Sequence, residues 1–420
     1  MIYLLHNKNI NSFIFKQLRN HYRSIIIGGG AAGLFATCFC EQNSTLILEK
    51  NELPGRKLII SGSGRCNITH TGDIEDFFEH YGDHHRFLKH ALLQFNNNDL
   101  ISFFNKNGLK TIENKNSKVF PLSDKATDVL DTLLSVISSK NNRIKTNCTV
   151  LDVTKEENVF VVSTQNEIYT SDKLLITTGG MSYPTTGSTG DGYKFAKSLG
   201  HKIVPPKPAL TPVFIVDYKF GNLSGISLQE TPVYLYRNQK KIREYCGDIV
   251  FTHKGLSGPG ILNFSRFFQQ GDVIKINLVK QNQDLFREAY LKSVNNEKGV
   301  TIQNFMKRYG IAANLIKSLL DILTINSSSL IGDIPKIKRN ELFNCFCECE
   351  FVIQKTGSFL SAMTTAGGVS LDEVSSKTLE SKLVSGLYFS GEVLDIDGDT
   401  GGYNLQAAFS TGVLAAKNLK

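Results

Sequence analysis

Residues 55–69 read GRKLIISGSGRCNIT, and within them Arg56, Lys57, Arg65 and Cys66 are the side chains able to carry charge or nucleophilic chemistry. Cations among glycines suit an anionic ligand, because glycine lets backbone N–H groups come close to it. Cys66 admits a second reading, since Arg65 beside it and the N–H groups of the loop would both favour a thiolate. No second cysteine stands in a C-x-x-C or C-x4-C relation to it, so a flavin-disulfide mechanism is not expected. A packed or hydrogen-bonded thiol is the simpler expectation.

A phosphate-bearing ligand has a better-defined signal upstream. GGGAAG sets Gly28, Gly30 and Gly33 in the G-x-G-x-x-G spacing, with Ala31 and Ala32 opening a helix behind an apolar run. The first glycine allows a tight turn, the second a close approach of backbone to pyrophosphate, and the third close packing of helix on strand. Glu49 ends the next apolar run, 21 positions after Gly28, where a carboxylate can accept from both hydroxyls of an adenosine ribose. An acid there, rather than an arginine, predicts NAD or FAD over NADP. Two later apolar runs also end in glycine: LLITTGG, with Thr178 and Gly179, and YFSGEVLD, with Gly391, Glu392 and Asp395. Together they predict an extended cofactor such as FAD, with Glu392 and Asp395 holding ribitol hydroxyls or backbone. Gly402 precedes the helical pattern containing Asn404, Leu405 and Gln406, whose N-terminus would face the flavin pyrimidine and favour a reduced, anionic flavin.

The elements that must position these groups alternate strand, glycine turn, helix, strand over 24–49, which predicts an α/β Rossmann-type fold. Residues 124–138 read as an amphipathic helix, and KTNCTVLDV and NVFVVSTQ as strands of a meander. Pro205, Pro206, Pro208 and Pro212 predict a crossing into another domain. The expected organisation is an N-terminal extension (1–23), a discontinuous cofactor-binding domain (24–204 and 350–420) and an inserted domain (205–349). The insert is β-rich over 205–283 and helical over 284–345.

GGGAAG, GRKLIISGSGRCNIT, KVFPLSDKATDVLD, TTGGMSYPTTGSTGDGY, FTHKGLSGPGIL, TTAGGVSLDEV, TLESK and SGLYFSGEVLDIDGDTGGYNLQAAFSTG, in that order, resemble the HI0933-like flavoprotein family, the BaiN/RdsA family of NAD(P)/FAD-dependent oxidoreductases. The resemblance implies FAD on a discontinuous, glutathione-reductase-like Rossmann domain, with Arg56 and Lys57 beside it and backbone near Val150 touching the adenine. The expected cofactor-binding set also takes in Lys50, Ser61, Gly62, Arg65, Cys66 and Asn67. Ser63 stands where the family often has glycine, so a positive φ there would strain the loop.

A flavin performs the redox step itself, so the protein need only bind, orient and supply a proton. His253, in FTHKGLSGPG, and Tyr183, in SYPTTGSTGDGY, are the candidate acids, each set against a loop-positioning role. No second G-x-G-x-x-G occurs in the right context for NAD(P)H, the expected electron donor. Cys345, Cys347 and Cys349 in CFCEC read as one buried face of a strand, with no fourth ligand nearby, so no metal is expected. The net charge of +8 comes from scattered lysines, and no apolar run reaches the roughly 20 residues of a membrane span. Disulfide-scaffold spacing is absent, which points to a reducing cytoplasm. The expected activity is FAD-dependent, NAD(P)H-driven reduction of a small organic acceptor such as a conjugated enone, without a membrane partner. A tRNA-acting flavoprotein and a non-catalytic flavin binder are the alternatives.

Overall fold

The structure, a computed structural model, describes residues 20–114 and 116–420, so residues 1–19 of the expected extension lie outside the described residues. The chain forms two compact units, one running to Pro208 and resuming over Met363–Lys420, the other Ala209–Ala362.

The first unit is built on a seven-stranded sheet: β1 (His21–Ile27), β2 (Thr45–Leu48), β3 (Arg143–Lys145), β4 (Val150–Glu156), β5 (Val159–Thr164), β6 (Ile168–Ile176) and β7 (Leu387–Phe389). Their order is β3-β2-β1-β6-β5-β4, with β7 alongside the second half of β6. β1, β2, β3, β6 and β7 run parallel, while β4 and β5 fold back antiparallel as the meander. Ile25 to Ile27 and Leu46 to Leu48 are all buried, which is why these strands read as continuous apolar runs rather than alternating ones. The register sets the site: Ile27 aligns with Ile176, and Ile176 with Phe389. Three glycine-containing turns therefore leave the sheet at one level of its carboxyl edge, where open α/β sheets bind ligands. Behind them the helix Ala31–Phe39 packs on the C-terminal helix Tyr403–Asn418 so closely that a Cβ on Gly412 would lie 2.9 Å from the Ala32 carbonyl oxygen.

The second unit is a closed barrel of Val213–Ile215, Ser227–Arg237, Lys240–Phe251, Gly255–Ser257, Val273–Ile276 and Cys349–Thr356. Four helices, Gln283–Asn296, Ile302–Lys307, Ala313–Ile322 and Lys336–Cys347, occupy the stretch between its last two strands. A separate core containing Val233, Leu235, Ile249, Phe251 and Phe346 holds it together.

One local expectation is refined and one is corrected. The proline cluster does mark the crossing, since the first unit ends at Pro208 within it, but Pro205, Pro206 and Pro208 also form part of a strand, Ile203–Ala209, paired among the described residues with Thr364–Val369. Proline is tolerated there because an edge strand leaves one row of N–H positions unpaired. CFCEC is not a strand: the helix Lys336–Cys347 carries Cys345 and Cys347, and the next strand begins at Cys349. Leu342, Phe343, Phe346 and Cys347 are the buried residues of that helix, a three-to-four-residue spacing that the alternating cysteines concealed. Cys347 and Cys349 are buried, and among the described residues no group of three or more potential metal ligands comes together. No helix among them is long and apolar enough to cross a membrane.

Candidate cofactor site

The three spaced glycines do three different jobs. Gly28 has φ +107°, and a Cβ on it would lie 2.7 Å from the Thr177 carbonyl oxygen. A Cβ on Gly33 would lie 2.1 Å from the Gly28 carbonyl oxygen, which fixes the helix against the turn. Gly30 has nothing within 4 Å in that direction, so the helix start is open on one side. The first intrahelical bond runs from Leu34 N–H to Gly30 O, leaving the N–H groups of Ala31, Ala32 and Gly33 at the positive end of a nine-residue helix with no acid in its first turn.

Glu49 is buried at the end of β2 and held rigidly. Its Oε2 accepts from Gly29 N–H at 2.8 Å, and its Oε1 from the backbone and side-chain nitrogens of Asn51 at 2.8 and 2.7 Å. Oε1 is thus filled by Asn51, while Oε2 keeps a second lone pair for a ribose hydroxyl. Cys148 N–H donates to the Glu49 carbonyl, which sets the segment leading to Val150 against the same turn. Lys50 points elsewhere, to Asp191 and Thr189, both at 2.6 Å.

The loop after Arg56 turns left-handed at Gly62 (φ +56°), Ser63 (+59°), Gly64 (+85°) and Cys66 (+59°). Ser63 is thus strained, which meets the condition set by its sequence. The thiolate reading of Cys66 is corrected: the residue is fully buried, and burial pushes its thiol up to about 12, against a smaller opposing effect from Ser61. Arg65 does not serve it, lying over the Phe120 ring at 4.6 Å with Asp124 at 4.0 Å. Exposed Arg56 reaches the side-chain oxygen of Asn51 at 3.2 Å.

Lys57 enters a network that ties three distant segments together. Its Nζ donates to Glu392 Oε2 at 2.7 Å and to Ser182 Oγ, and Glu392 Oε1 accepts from Ser182 Oγ and Thr365 N–H, both at 2.9 Å. Thr365 Oγ1 in turn accepts from the N–H groups of Met181 and Ser182. A Cβ on Gly180 would lie 2.4 Å from Thr365 Oγ1 and 2.7 Å from Glu392 Oε1, so the last glycine of LLITTGG is required by this network. Asp395 accepts from Gly367 N–H at 3.0 Å. Asn404 closes its own loop onto Gly398 and Asp399, and the buried side chain of Gln406 bonds Thr69, Ser410 and the Phe95 carbonyl. Gly402 caps that helix with φ +102°, and a Cβ there would meet Thr69 backbone at 2.6 Å.

Tyr183 follows Ser182 directly and has φ +51°, a conformation costly for a bulky residue and common at functional sites. His253 stands in the second unit, exposed on the turn after Lys240–Phe251. Gly180, Ser182 and Thr365 went unnoticed in the sequence as site residues. They lie inside the MSYP and TTAGG blocks, whose spacing carries no chemical signature of its own.

These residues fit a dinucleotide. The helix start is open at Gly30, Glu49 is preset, and Asn67 Oδ1, Thr178 Oγ1 and Tyr193 OH are buried side-chain atoms with no hydrogen-bond partner. Burial, reinforced by Glu392 and Asp395, keeps the Tyr193 hydroxyl protonated well above its ordinary range, so it can act as a donor. The model of the HI0933-like protein Rossmann domain matches residues 22–418. A ribosomal RNA dihydrouridine synthase of Escherichia coli is 32% identical over 95% of this chain and 98% of its own length. A 3-dehydro-bile acid delta(4,6)-reductase of Clostridium scindens is 30% identical over 93% and 97%. Among solved structures, the open conformation of a flavocytochrome c3 fumarate reductase matches with TM-score 0.50 and 14% identity, over 97% of this chain and 80% of that one, a likeness of fold.

Proposed function

The chain belongs to the HI0933-like family of Rossmann-fold flavoprotein oxidoreductases, and from that premise we propose that it reduces a carbon–carbon double bond conjugated to a carbonyl. The observation that carries the proposal is the alignment of three glycine-containing turns at one level of the sheet's carboxyl edge, with a preset Glu49 beside the first of them. Ala31 to Gly33 would face the pyrophosphate, Glu49 the adenosine ribose, the segment at Val150 the adenine, and Lys57, Gly62, Asn67, Thr178 and Gly391 the remainder. Bound FAD supplies hydride chemistry, with NAD(P)H as the electron donor. The protein's part is to exclude water, align the acceptor and deliver a proton to the carbon next to the carbonyl, for which Tyr183 and His253 are the candidates.

Uridine is such an acceptor, since the C5–C6 double bond of uracil is conjugated to the C4 carbonyl, and so is an unsaturated 3-oxo steroid. One chemistry thus covers both kinds of named relative. A uridine in ribosomal RNA is the first choice of substrate. Support comes from the RNA-acting relatives at 32% and 31% identity and from charge: residues 209–362 hold 19 Lys and Arg against 13 Asp and Glu, while the rest of the chain is nearly balanced at 28 against 26. Positive surface is what RNA backbone binding needs. A steroid-like small molecule is the second reading, favoured by the bile-acid relative. Purified protein should show a flavin band that NADH or NADPH bleaches without oxygen. Incubation with unmodified ribosomal RNA and the better donor should then add two hydrogens to a uridine, read by nucleoside mass spectrometry. Reduction of a 3-oxo-4,6-diene steroid with untouched RNA would favour the second reading, and protein that never retains flavin would end both.

A further inference from the structure

We infer that Glu392, with Ser182 and Thr365, is a positioning group for Lys57 and not itself a ligand of the cofactor. The inference rests on FAD binding by this chain. From sequence, Glu392 is expected to hold ribitol hydroxyls or backbone; its carboxylate takes one backbone donor, Thr365 N–H at 2.9 Å, with Ser182 Oγ at 2.9 Å and the charged Lys57 Nζ at 2.7 Å, whereas the three donors on Glu49 are all neutral. Lys57 has three N–H donors, and two are committed to Glu392 and Ser182. One remains, on a side chain only a quarter exposed.

Stability does not explain the arrangement well. The side chains of Lys57 and Glu392 are 25% and 21% exposed, and the desolvation cost of such a pair offsets most of its attraction. What the network does provide is geometry. Lys57 comes from the helix Arg56–Ile60, Ser182 from the turn after β6, Thr365 from the strand Thr364–Val369 and Glu392 from the turn after β7, so four segments fix one ammonium group. Gly180 is confined to glycine by the same carboxylate and by Thr365. A flexible four-carbon lysine becomes a charge at a set point, with its last N–H directed by Glu392 rather than by solvent.

A double-mutant cycle on FAD affinity tests this, with deflavinated protein titrated with FAD and read by flavin fluorescence. Lys57→Met should weaken binding by about 10- to 100-fold, the worth of one charge-assisted contact. Glu392→Gln keeps the shape but presents an amide nitrogen without a lone pair to Lys57, and should weaken binding about 5-fold on the same scale. In the Lys57→Met background Glu392→Gln should have no further effect, because a residue acting through Lys57 loses its influence when Lys57 is gone. Additive losses in the double variant would show that Glu392 touches FAD itself and would overturn the inference while leaving the proposed function standing. Wild-type protein that does not bind FAD would overturn both. Thermal unfolding of the deflavinated variants checks folding, and if Glu392→Gln does not fold, Ser182→Ala takes its place in the same cycle with the same non-additivity expected.

Discussion

The two glycine-rich turns of the first unit, residues 28–33 and 62–66, are alike in composition and opposite in what they demand. At 28–33 glycine is required by contact, since Cβ atoms on Gly28 and Gly33 would overlap carbonyl oxygens at 2.7 and 2.1 Å. At 62–66 contact confines only Gly62, where a Cβ would lie 2.8 Å from the Asn67 backbone nitrogen, and the rest of the requirement is one of handedness: four residues have positive φ, yet two of them are Ser63 and Cys66, and a Cβ on Gly64 would meet nothing within 4 Å. A contact constraint is absolute, whereas a left-handed φ costs an ordinary residue only about 1–2 kcal/mol. The first turn therefore follows its motif strictly and the second drifts.

Substitutions can break that contrast. Gly33→Ala should cost about 3 kcal/mol or more, in the range of overpacking against immobile backbone, and abolish flavin retention. Urea unfolding and the visible spectrum of the purified variant decide it, and a variant with wild-type midpoint and flavin would refute the contact argument. Cys66→Ala should cost about 1–2 kcal/mol as a small buried truncation and leave the rate of flavin reduction by NAD(P)H unchanged. A tenfold slower reduction would return the thiol to the chemistry.

The same thiol gives a pH test. Its folded value, about 12, lies above the ordinary 9.0, so the folded state keeps the proton longer than the unfolded chain. That contribution to stability is full below pH 9 and is lost as pH rises from 9 through 12. Denaturant midpoints across that window should fall more steeply for wild type than for Cys66→Ala, and parallel slopes would count against a buried neutral thiol. The smallest effect is at Ser63. Ser63→Gly relieves about 1–2 kcal/mol of left-handed strain but gives back about 0.5–1 kcal/mol of chain entropy, for a net gain near 0.5 kcal/mol. Lower stability instead would mean that the serine side chain holds something in place.

Much of the first unit is legible because its signals are local. A strand buried on both faces must be apolar throughout, a turn onto a helix start must be glycine, and Glu49 must end the next strand, so β1, the helix Ala31–Phe39 and β2 follow from short-range spacing. CFCEC misled because alternation over five residues fits a strand as well as the end of a helix, and the helix Lys336–Cys347 is set by Leu342, Phe343 and Phe346, which face the barrel unit's own core. The prolines located the crossing, since the first unit ends at Pro208, but they hid the strand Ile203–Ala209, because proline in a strand reads as a break unless the strand is known to lie at an edge.

Glu392 marks the limit. Its position after a glycine-terminated strand made it a candidate site residue, but its partners Lys57 and Ser182 lie 335 and 210 positions away. Sequence alone determined which residues reach the carboxyl edge of the sheet, because strand endings and glycine turns are written in neighbouring residues. Only the tertiary structure decided how these groups are held: register brings three turns to one level, hydrogen bonds across hundreds of positions tie Glu392 to Lys57, Ser182 and Thr365, and burial keeps the Cys66 thiol protonated.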